Sequence, residues 1–171
     1  MTMTYAIADE PIETSRRHLV VDPSAPLLAE MVCGTWLSLP WFAWNAIAMG
    51  SPTRRKEIAL CVLLLAVTVV LGATVLALRE GGVIESRTVL RFALLGIVTW
   101  KLAMTRAIYA LQARTFHVYE YYGGPVRPAS YVISTGWLLR DFVIGLSDDP
   151  LWGIIVSGVF GAGGAGGCGG S

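Results

Sequence analysis

An all-α integral membrane bundle is the fold class this sequence predicts, and three observations predict it. Of the 171 residues, 54% are hydrophobic and only 15% charged, with a mean hydropathy of +0.60, whereas a soluble domain carries about a quarter charged residues. One run, Ile58 to Leu78, holds 21 residues without a charge. Further apolar runs recur along the chain, divided by short charged or Gly/Pro stretches. The bundle expected has four hydrophobic segments, or five, at about 31–49, 58–78, 88–108, 129–146 and 151–162. They form a transmembrane domain over 30–162, between a polar arm at 1–29 and a Gly-rich tail at 163–171.

The arm carries Asp9, Glu10, Glu13 and Asp22 before any apolar run, unlike a signal peptide. Pro11, Pro23 and Pro26 discourage a long helix there. A loose or surface-lying segment is expected.

The first segment, Met31 to Met49, is uncharged and just long enough to cross. Pro40 lies near its middle, and Trp36, Trp41 and Trp44 crowd it. Proline kinks membrane helices and Trp favours the headgroup level. The segment either spans with a kink or dips in and returns. The second, Ile58 to Leu78, matches a hydrocarbon layer of about 30 Å at about 1.5 Å per residue. Arg54, Arg55 and Lys56 precede it and Arg79 and Glu80 follow, which fixes its position. The third starts near Thr88 and runs to the Gly123–Pro128 turn, GGPVRP. Ala129 to Leu146 is apolar except for Arg140 and Asp141, and Asp148, Asp149 and Pro150 separate it from Leu151 to Phe160.

Basic residues set the orientation. Arg54, Arg55 and Lys56 lie before the second segment, and Arg106, Arg114 and Arg127 after the third. Between those segments Arg79 and Arg87 are diluted by Glu80 and Glu85. The loops carrying the two basic groups are expected in the cytoplasm. The arm is then outside if the first segment spans, and inside if it is re-entrant.

The third segment raises the main functional question. Arg91 and Lys101 stand ten positions apart, about 15 Å along a helix. Long aliphatic stems let both snorkel to opposite interfaces, which requires no site at all. A sharper reading uses helical angles of about 100° per residue. Lys101, Gln112 and Tyr119 then share one arc, while Arg106, His117, Glu120 and Arg114 fall on the opposite one. Ala103, Ala107, Ala110 and Ala113 lie along that second arc, and small residues let helices approach closely. Arg106, His117, Glu120, Lys101 and Gln112 are therefore the candidate polar face for a headgroup or partner. The plainer reading of His117 is a satisfied interfacial histidine.

Arg140 and Asp141 form a candidate intramembrane pair, read either as an ion pair to another helix or as a coupling element. Asn45 is a candidate for bonding across helices. No phosphate loop, nucleophile elbow or HExxH is present, so no catalytic residue is assigned. Cys33, Cys61 and Cys168 show no metal spacing, and no metal or cofactor is expected. Net charge is +1, which argues against nucleic acid as a partner.

Two stretches, Trp36 to Leu60 and Leu111 to Val126, together resemble a loosely defined set of uncharacterised small bacterial multipass membrane proteins. Asn45 before a basic turn, then Gln112, His117, Gly123 and Gly124, carry the resemblance. It implies a bacterial cytoplasmic (inner) membrane home and no activity. The function expected is a non-catalytic structural, assembly or accessory subunit, with the lipid bilayer and a protein partner or second copy as its contacts. The alternative is a small transporter or an ion- or proton-path component built on the intramembrane charges. An intramembrane enzyme comes last.

Overall fold

A computed structural model of the chain describes residues 20–156. The arm up to residue 19, the fifth segment beyond Val156 and the glycine tail with Cys168 lie outside the described residues. Within them the chain forms α1 (Ser24–Val32), α2 (Thr35–Ala48), α3 (Arg54–Glu80), α4 (Arg87–Tyr121), α5 (Ser130–Ile144) and α6 (Pro150–Val156).

Two of these helices, rather than four or five, are long and apolar enough to cross a membrane. They are α3 with 27 residues and α4 with 35, about 40 and 52 Å at 1.5 Å per residue. The α5 helix has 15 residues, about 22 Å, which falls short of a hydrocarbon layer of about 30 Å.

The α3 and α4 helices pack along matching stripes. On α3 the buried positions are Glu57, Cys61, Leu64, Thr68, Gly72 and Val75. On α4 they include Ile97, Lys101, Thr105, Ile108, Gln112, Thr115 and Tyr119. Both follow the three- and four-residue spacing of one helix face. The polarity is inverted relative to a soluble protein. Lys, Glu, Gln and Thr point inward, while Val62, Leu63 and Val70 of α3 and Val89, Phe92 and Leu95 of α4 are exposed. An apolar exterior this extensive needs lipid or a partner over it.

The first predicted segment is two helices. Cys33 and Gly34 interrupt it, and Gly34 has φ +97°, a conformation that glycine adopts at little cost. The Val21 N–H donates to Asn45 Oδ1 at 3.1 Å, so the start of α1 lies beside the end of α2. The two form a hairpin with Gly34 at its tip. Its legs have 9 and 14 residues, about 13 and 21 Å, each short of a crossing. The α1 leg takes in residues expected in the arm. Pro23 caps this leg and Pro26 sits in its first turn, where a helix needs no N–H donor. Pro23 and Pro26 therefore stand at the start of a short helix of nine residues.

Three apolar clusters stack along the bundle. Val20, Ala48, Met49, Phe116 and Tyr119 close the hairpin base. Leu39, Phe42, Cys61, Leu64 and Ile108 fill the middle. Val75, Ile97 and Ile154 form the far end. After α4, residues 125–128 return to the hairpin base, where the Arg127 N–H donates to Val20 O at 2.9 Å. The α6 helix packs Leu151 and Ile154 on Gly72, and the Trp152 indole N–H donates to Val143 O of α5 at 2.9 Å. The hairpin thus fills the bundle from one end and α6 from the other.

Candidate functional site

The hairpin tip and α6 meet at Lys101. Snorkelling of this side chain to an interface is corrected by its position, since Lys101 is 3% exposed and turned inward. Its Nζ lies 3.6 Å from Glu30 Oε1 and donates to Ile155 O at 3.1 Å. Glu30 is also buried. It accepts hydrogen bonds from Thr35 Oγ1 at 2.8 Å and from Ser38 Oγ. Glu30 stands one turn before Gly34 on α1, so its carboxylate reaches across the tip to the first turn of α2. Lys101 is on the inward stripe of α4, and Ile155 is near the end of α6. One ion pair therefore joins four helices.

Charge balance explains why both groups tolerate burial. An ammonium or carboxylate alone in an apolar interior costs several kcal/mol, about the scale of a small protein's whole stability. Pairing removes the net charge, and the two hydroxyls and one carbonyl satisfy further hydrogen-bonding positions. A cavity of about 150 Å³, lined by Glu30, Met31, Val98, Lys101 and Leu102, opens beside the pair between α1 and α4. At about 30 Å³ per water in the liquid, it has room for a few waters.

A second polar contact lies eleven residues further along α4, about 16 Å away. Gln112 Nε2 donates to Phe42 O at 2.8 Å, and Asn45 Nδ2 donates to Gln112 Oε1 at 3.4 Å. With the Val21 N–H on Asn45 Oδ1, the two amides bind both hairpin legs to α4. Beyond them Glu57 is fully buried. Its Oε1 accepts from Ser51 Oγ at 2.5 Å and Thr53 Oγ1 at 2.6 Å, with Thr115 Oγ1 3.5 Å from Ser51 Oγ. Glu57 lies in the first turn of α3, where backbone N–H groups and the helix dipole favour a carboxylate. Polar contacts thus line the bundle interior from its basic end to the hairpin tip.

The five candidate residues of α4 stand on the two arcs that their spacing gives. Lys101 and Gln112 are inside, whereas Arg106, His117 and Glu120 are exposed. The Arg106 guanidinium lies 4.8 Å from the Tyr109 ring centroid. His117 and Glu120 line, with Asp22 and Tyr109, a cavity of about 240 Å³ at the start of α1. Ala103, Ala107 and Ala110 face outward, and no described helix covers them. Arg140 is partly buried, 5.6 Å from the Trp137 ring centroid, while Asp141 is exposed. Neither makes an ion pair to another helix among the described residues.

Glu30 and Glu57 were missed as candidates. Each sits at the edge of an apolar run, where a charge ordinarily marks the interface. A usable signal for Glu30 is its neighbourhood: Leu27, Leu28 and Ala29 precede it, and Met31 and Val32 follow. No protein-family model, no curated protein and no solved structure matches the chain, so the functional reading rests on this geometry.

Proposed function

We propose that the chain is a small multipass protein of the bacterial cytoplasmic membrane that provides a path or gate for a proton or small cation. The observation that carries this reading is the Glu30–Lys101 pair, a buried acid and base where a helical hairpin meets a short helix. Ionisable groups within a membrane are expensive and mark ion or proton routes more often than scaffolding. Half-length elements that meet inside a bundle are a recurrent way to build such sites. In this reading α3 and α4 cross, and α1 with α2 is re-entrant. Its open end shares a side with Arg54, Arg55, Lys56, Arg114 and Arg127, which the positive-inside bias assigns to the cytoplasm. The adjoining cavity gives a proton or cation access to Glu30, with Lys101 as the counter-charge beside it.

The test is flux into proteoliposomes containing the purified chain, under imposed proton, sodium and potassium gradients. The parent is expected to dissipate at least one gradient, and Glu30→Gln and Lys101→Met to lose that flux. No flux under any gradient would sink the reading. The second reading, an accessory subunit, is favoured by the uncovered alanine stripe of α4 and the exposed Trp137, Leu138 and Phe142 of α5. Purification in gentle detergent as a lone monomer would count against it.

A further inference from the structure

A groove that neither Glu30 nor Lys101 lines runs between α2, α3 and α6. Trp36, Pro40 and Ala43 form its α2 wall, Val62 and Leu65 its α3 wall, and Trp152 closes it from α6. Its volume is about 350 Å³, at the lower end of the ~300–1,000 Å³ typical of ligand pockets. Thr35 is the one hydroxyl-bearing residue in the lining, and its Oγ1 already donates to Glu30. A polar occupant would lose its water without gaining partners, so the part of any ligand that enters must be apolar. A helix about 10 Å across takes up about 400 Å³ per turn, more than the whole groove. An extended hydrocarbon chain fits it.

Charge identifies the rest of the ligand. Ile58 also lines the groove, and Arg54 and Arg55 stand four and three positions before it. That spacing continues the same face of α3 by one turn, about 5 Å. Arg54, Arg55 and Lys56 are all exposed. An apolar slot that leads to two solvated guanidinium groups, Arg54 and Arg55, matches a lipid with an anionic headgroup. We infer that this groove holds one acyl chain of an anionic phospholipid, with its phosphate against Arg54 and Arg55. This rests on the membrane-embedded part of the proposed function and uses neither Glu30 nor Lys101.

The experiment is native mass spectrometry of the full chain, purified in detergent and offered equal amounts of phosphatidylglycerol and phosphatidylcholine. The parent is expected to retain one phosphatidylglycerol, at least fivefold over phosphatidylcholine. Ala43→Trp, which fills the groove, is expected to lose the adduct. Arg54→Gln with Arg55→Gln, both at exposed positions, is expected to keep an adduct but lose the headgroup preference. The double variant Glu30→Leu with Lys101→Leu, which strands no charge, is expected to bind as the parent does while losing flux, which separates this inference from the flux reading. Equal retention of both lipids by the parent, no retained lipid, an undiminished adduct in Ala43→Trp, or a lipid-free dimer would each overturn it.

Discussion

Replacing Lys101 by Met isolates the contribution of the central pair. In the parent the ammonium contacts Glu30 and Ile155 O, and Glu30 also holds Thr35 and Ser38. Lys101→Met keeps much of the side-chain volume but strands a buried carboxylate with two hydroxyl donors. Removing one partner of a buried pair costs about 3–5 kcal/mol, because the remaining charge is uncompensated. Glu30→Gln strands the cation instead, with a similar expected cost. Replacing both residues by Leu removes the stranded charges, and such double replacements are often neutral or stabilising by about 1–4 kcal/mol. The Ser38 hydroxyl can then turn to the Gly34 carbonyl four residues before it. A closed cycle of Lys101→Leu, Glu30→Leu and the double Leu variant should show a coupling of about 3 kcal/mol or more. Unfolding in mixed micelles, followed by helical circular dichroism against mole fraction of dodecyl sulfate, measures it. Single variants within about 0.5 kcal/mol of the parent, with additive effects, would refute the reasoning.

Gln112→Leu removes the donor to Phe42 O and leaves the buried Asn45 amide without its α4 acceptor; a loss of about 1–3 kcal/mol is expected in the same titration. Gly124→Ala meets the ring of Tyr119, whose hydroxyl donates to Pro125 O at 3.2 Å; a rigid ring held at its far end cannot yield, so about 1–3 kcal/mol of overpacking is expected from the unfolding midpoint.

How much of this was legible in the sequence varied by element. The α3 helix was plain, because 21 uncharged residues between charged ends have few other uses. The hairpin was only half visible. Pro40 and the Trp cluster suggested a dip, but the chain reverses at Gly34, and a lone glycine in an apolar run looks ordinary. Glu30 stands at the boundary of the transmembrane domain, just before the first apolar run, and drew no notice because what buries it is Lys101, 71 residues away, and no local pattern reports such a partner. On α4, periodicity separated Lys101, Gln112 and Tyr119 from Arg106, His117 and Glu120. It could not say which arc faced inward, since that depends on where the hairpin packs. Interest therefore settled on the exposed arc, while the ion pair lies on the other.

The re-entrant hairpin is tested most directly by cysteine accessibility in sealed, oriented vesicles, after the native cysteines are replaced. Single cysteines at Asp22, Pro52, Ser86 and Met31, all at exposed positions, would be treated with a membrane-impermeant maleimide. Asp22 and Pro52 are expected to react from one side and Ser86 from the other, with Met31, near the hairpin tip, shielded by lipid. Asp22 and Pro52 reacting from opposite sides, or Pro52 and Ser86 from the same side, would contradict the account.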